Sequence, residues 1–136
     1  MNDDFEIRRQ GTEIRLVGRG KTKEGALSSL ARAFAAYQLP EGEAVDSDGE
    51  RRELKFGYEK EAYLPPDLIN DIIGLQAANS EAYPRVEIVR LADGIICAEL
   101  FGVKKGPRSM VREAVYLGSK LEASGDGWVA ETEIVA

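Results

Sequence analysis

The sequence predicts an α+β fold in which two helices cover a largely antiparallel sheet. Three observations carry this. Apolar residues recur at helical spacing in two stretches, 27–34 and 68–76. In most other runs they alternate with polar residues, the period of a strand with one buried face. Asp93-Gly94 stands between two strand-like runs and supplies the positive φ angles of a tight antiparallel turn.

Along the chain, Phe5 and Ile7, then Ile14 and Leu16, predict two strands, with Gly11 allowing a bulge or tight turn between them. Thr22 is placed to cap a helix by accepting from a free N–H in its first turn. Leu27, Leu30, Ala31 and Phe34 form that helix's single apolar stripe, and Gln38-Leu39-Pro40 ends it. Segment 41–50 holds five carboxylates, Glu41, Glu43, Asp46, Asp48 and Glu50, and two glycines. It lacks the D-x-D-x-D-G…E spacing that aims several oxygens at one cation, so it reads as an acidic linker at about 40–50 inside one domain spanning 1–136.

Leu54, Phe56 and Tyr58 predict the next strand. Pro65-Pro66 suits a helix start, where a missing N–H loses nothing, and Leu68, Ile69, Ile72, Ile73 and Gln76 carry the helix to about Ala78. Residues 85–101 form a hairpin, and 109–136 supply two or three closing strands, the last pair joined around Ser124-Gly125-Asp126-Gly127. On the final strand Trp128, Ala130, Thr132 and Ile134 share one face; Val129, Glu131, Glu133 and Val135 share the other. Trp128, Tyr116 and Phe101 are expected in the core beneath the helices.

Composition narrows the function. With 136 residues, 43% hydrophobic and 31% charged, the chain is an ordinary globular protein. A net charge of −6 and a pI near 4.8 argue against direct nucleic-acid binding, which usually shows a basic face. Cys97 is the only cysteine and lies in an apolar run, so it reads as a small buried hydrophobe. There is no histidine, which removes the commonest metal ligand and every Ser/His/Asp or Cys/His arrangement. No stretch approaches a membrane span, and the N-terminus lacks the apolar core of a signal peptide, so a cytoplasmic protein is expected. Gly18-Arg19-Gly20-Lys21-Thr22 invites comparison with a phosphate loop, but Arg15 holds the place of that motif's first glycine. The lysine and threonine read as a helix start.

Residues 5–34, 64–76 and 110–128 together resemble the archease family. Its opening pattern is an aromatic-led strand, an Asp-His-Thr-Ala-Asp-like motif, a second strand, and Gly-Lys-Thr leading into an alanine-rich helix. Gly20-Lys21-Thr22 followed by Ala26, Ala31 and Phe34 fits that frame without gaps. The resemblance implies a strand–helix–strand–strand core. It also implies an accessory role, stimulating a metal- and GTP-dependent tRNA-splicing RNA ligase, with carboxylates from the opening motif and the chain's end gathered around a divalent metal.

The sequence departs from that pattern where the chemistry should be. In the ungapped frame the motif's first Asp falls on Arg9, its His on Gln10 and its second Asp on Glu13. The His after the family's late Tyr falls on Leu117, and the terminal Asp on Val135, with Glu133 two positions earlier. A guanidinium about 5 Å from a divalent ion is repelled by roughly 7 kcal/mol at an effective dielectric near 20. The metal site is therefore read as lost, Glu13 and Glu133 being weak candidates for a rebuilt one, and no cofactor is expected. Arg9 and Glu13 could instead pair, or stand as separate exposed charges. Lys104, Lys105 and Arg108 make a compact basic loop that could contact an anion or serve as a solvated connection.

The resulting expectation is an archease-like, non-enzymatic accessory protein that works by protein–protein contact through Arg9, Gln10 and Glu13, with an RNA ligase as one candidate partner. Two other readings stay open: a metal- or nucleotide-dependent enzyme rebuilt on Glu13 and Glu133, and a structural homo-oligomer.

Overall fold

The computed structural model describes residues 3–39, 50–103 and 111–135. The predicted acidic linker, apart from Glu50, and the basic loop residues Lys104, Lys105 and Arg108 lie outside the described residues. The elements run β1 (Asp4–Gln10), β2 (Glu13–Gly20), α1 (Lys23–Gln38), β3 (Arg51–Gly57), a 3-10 turn (Glu61–Tyr63), α2 (Leu64–Asn79), β4 (Ala82–Ala92), β5 (Ile95–Val103), β6 (Glu113–Ser124) and β7 (Gly127–Val135). The fold is α+β, as expected. Its antiparallel strands divide into two sheets, β1-β2-β7-β6 and β3-β5-β4.

Local chemistry explains the turns and caps. Gly11, at φ +62, takes the first central place of a two-residue turn, so Gln10 pairs with Glu13. Asp93 and Gly94 both adopt positive φ and join β4 to β5. Thr22 Oγ1 accepts from the Gly25 N–H at 3.0 Å and caps α1. Leu39, the residue before Pro40, is already extended at φ −102 and ψ 148, which closes the helix. Pro65 and Pro66 open α2 where no intrahelical donor is needed.

Helix α1 lies between the two sheets, against β1, β2 and β7 on one side and β4 on the other. Its buried residues therefore go beyond the predicted stripe to include Ala26, Ser29, Ala33 and Ala35. Helix α2 covers β6 and β7. The main core joins Leu27, Leu30 and Phe34 of α1 to Leu68 and Ile72 of α2 and to Leu16, Ile96 and Leu100 of the sheets. Where the helices meet, Gln38 and Gln76 exchange two buried amide hydrogen bonds of 3.0 and 2.7 Å, so neither buried side-chain amide is stranded.

The expected aromatic core holds only for Trp128, which packs against the main core from its edge, and is corrected for Phe101 and Tyr116. Tyr83 and Phe34 are the fully buried aromatics. Trp128 is half-buried with the Lys23 ammonium over its ring, Phe101 is half-buried on the solvent side of β5 beneath Arg85, and Tyr116 is exposed. Cys97 is half-buried rather than buried, because it falls on the outer face of β5, in register with Lys55. Tyr116 leaves the core because β6 bulges between Val115 and Lys120, where Gly118 takes φ +76.

Candidate functional site

The expected site residues sit at the β1–β2 hairpin. In an antiparallel ladder, directly paired residues share a face. Gln10 and Glu13 pair with each other, and Arg8 pairs with Arg15, so these four side chains share the face of the four-stranded sheet turned away from the helices. Arg9 pairs with Ile14 and faces α1, where its guanidinium lies 5.2 Å from the centroid of the Tyr37 ring. The alternative of an Arg9–Glu13 ion pair is thus corrected: the two side chains leave the sheet on opposite sides.

Glu13 and Glu133 do come together, lining a depression of about 680 Å³ with Thr12, Ile134 and Val135. Glu133 is in register with Arg15, and Glu13 with Gln10. Hard divalent cations take six or more oxygens. Among the described residues, no group of three or more His, Cys, Asp or Glu side chains is gathered where it could hold a metal ion. Two carboxylates next to an arginine are a poor donor set for the metal that the resemblance implies.

The same outer face carries a charge lattice that the sequence reading did not single out. Glu131, only 7% exposed, receives Arg15 Nε at 2.8 Å, with Arg8 and Lys120 at 3.7 and 3.9 Å. Glu6 receives Arg8 and Arg19, each at 2.7 Å, and Arg19 also reaches Asp4 at 3.3 Å. The Arg8 hydrogen bond first, then that of Arg19, hold the Glu6 carboxyl down to about 2. The stems of these long side chains roof the sheet, and Val17, in register with Glu6 and Glu131, is fully buried beneath them.

Next to this lattice, the β6 bulge carries Leu117, 86% exposed, directly after Tyr116, whose exposed ring meets that of Tyr63. The alternating pattern had merged these residues into a strand. Gly118 was the available signal, since a glycine inside a strand pattern marks a bulge.

This architecture defines the class: a two-helix, two-sheet α+β protein with the archease fold. The solution structure of protein 1598 of Methanobacterium thermoautotrophicum is similar over 97% of this chain and 98% of its own, at a TM-score of 0.77 and 15% identity. The crystal structure of an archease from Thermotoga maritima, described as a possible chaperone, is similar over 96% of this chain and 98% of its own, at a TM-score of 0.60 and 19% identity. At these identities the likeness is one of fold. No protein-family model matches the chain, and no curated protein matches it.

Proposed function

We propose that this chain is an archease-like accessory protein that acts in the cytoplasm by protein–protein contact, performs no reaction itself and holds no divalent metal. The observation that carries this reading is the fold, shared over nearly the full length of an archease described as a possible chaperone. The small number of oxygen donors around Glu13 and Glu133 among the described residues supports the metal-free part. Gln10 and Glu13 on one face and Arg9 on the other put three polar groups of different charge at one exposed hairpin end, a surface suited to a protein partner. Lys104, Lys105 and Arg108, outside the described residues, are proposed as a separate anion contact. The partner implied by the family resemblance is a tRNA-splicing RNA ligase.

A reconstituted ligation assay tests this. Adding the purified chain to such a ligase should raise its turnover, and the double change Arg9→Glu with Glu13→Lys should weaken the effect about tenfold, equivalent to about 1.4 kcal/mol of contact. Unchanged ligation in the presence of wild-type chain would remove the ligase from the proposal. A rebuilt carboxylate enzyme is the second reading, favoured by the depression that Glu13 and Glu133 line together. Calorimetric titration with magnesium, manganese, calcium and GTP addresses it: micromolar binding abolished by Glu13→Ala would favour the enzyme.

A further inference from the structure

The geometry points to the β6 bulge as a docking site for a partner segment that presents an apolar side chain beside an arginine or lysine. This goes beyond the accessory reading and does not depend on which protein the hairpin end meets.

Leu117 is the most exposed large hydrophobic residue among those described, at 86%. The bulge that carries it is tied down on both sides. Tyr116 Oη donates to Asp67 on α2, and the Arg15 guanidinium donates to the Gly118 carbonyl. Ser119 Oγ bonds the Ala62 carbonyl at 3.1 Å and the Tyr116 carbonyl at 2.7 Å. Just upstream, the Asn70 side chain clamps both backbone groups of Ala114, at 2.7 and 3.1 Å. These polar links hold a leucine out in water instead of letting it fold back. A bulge re-aims a side chain, and an anchor already fixed in place loses little entropy on binding. The Tyr63 ring meets Tyr116 edge-on at 5.4 Å and 88°, so the residue that precedes the leucine adds a second exposed apolar surface to the patch.

Charge selects the occupant. Asp67 and Asp71 lie one turn apart on α2, an unfavourable like-charge spacing. Partial desolvation, then the Asp67 charge, raise the Asp71 carboxyl above its ordinary value. Among the described residues neither carboxylate has a cation at ion-pair distance, while Lys60 occupies one face of Tyr63 at 5.5 Å. A guanidinium or ammonium from a partner would relieve the two aspartates while its apolar neighbour covers Leu117. An acidic segment would be repelled.

Selection of random linear peptides displayed against the immobilised full chain tests this. The enriched peptides should place Arg or Lys within a few residues of Leu, Ile, Met or Phe. Leu117→Asp should weaken the best synthetic peptide at least about tenfold, and Asp71→Asn several-fold. Leu117→Ser, which adds no charge, should weaken it in the same direction, and the melting temperature of all three variants serves as a folding control. Recovery of acidic peptides, no enrichment, or binding indifferent to Leu117 would overturn the proposal. So would a wild-type dimer in light scattering that Leu117→Asp dissociates, which would assign the patch to a second copy.

Discussion

Glu6 shows how the outer face of the four-stranded sheet is held. Its two oxygens are divided between Arg8 and Arg19, and these bonds keep the carboxyl near 2, below the ordinary 4.5. A depressed carboxyl stabilises the folded state above the unfolded value, and that contribution fades as pH falls from about 4.5 to about 2. Glu6 is 42% exposed on its side chain, so water and salt screen the pairs and the effect stays under about 1 kcal/mol. Glu6→Gln should therefore lower urea-unfolding stability slightly at pH 7 and flatten the acid limb between pH 4.5 and 2. Parallel curves for the two proteins across that window would refute the assignment. The candidate site was partly legible at this scale. Residues 9, 10 and 13 were singled out through the family resemblance, but the sequence left Arg9 and Glu13 open between an ion pair and two separate exposed charges. The two-residue turn at Gly11 and Thr12 pairs 10 with 13 and 9 with 14, which sends Arg9 to the helix side. Turn length, more than alternation, sets the face.

Among the elements, β2 and α1 approach each other backbone to backbone. A Cβ on Gly18 would run into the Ala26 carbonyl oxygen and the Leu30 backbone, its Cα being 2.8 Å away, and one on Gly20 would meet Ala26 N at 2.6 Å. These obstacles are helix backbone, which cannot rotate aside as a side chain can. Gly18→Ala should destabilise the protein by about 3 kcal/mol or more, beyond the usual range for overpacking, and a thermal melt of purified protein measures it. A melt within a degree or two of wild type would mean that α1 does not lie this close. The two glycines of the phosphate-loop lookalike are thus explained by helix–strand approach, and the helix start behind them is occupied by Thr22 Oγ1 and by Asp3, whose carboxylate accepts from Lys21 N–H at 3.4 Å. Strands, helices and the Asp93-Gly94 turn were legible because periodicity and turn chemistry are local. The bulge of β6 left only Gly118 as a sequence signal, and its extent was not legible: four residues, 116–119, leave the ladder because α2, the 3-10 turn and Arg15 hold them, contacts that join distant parts of the chain.

For the whole molecule, the decisive feature is that one helix serves two sheets. The sequence showed α1 with a single stripe of Leu27, Leu30, Ala31 and Phe34. In the fold, Ala35 packs with Leu39 and Ala82 of β4, and Ser28 Oγ accepts from the Ile88 N–H at 3.2 Å, while Ala26 lies against β2. Small side chains let both sheets approach the helix, which explains why α1 is so rich in alanine. The two sheets share no strand, so their stability is coupled chiefly through α1 and the core it centres. Leu27 is fully buried in that core. Leu27→Ala should therefore cost about 2 to 5 kcal/mol and loosen both sheets together. Hydrogen exchange reads this directly: amides of β2 and of β5 should lose protection by the same factor, because the opening that exposes one exposes the other. If β2 amides speed up while those of β5 keep wild-type rates, the sheets are separate cooperative units and α1 belongs energetically to the four-stranded one alone.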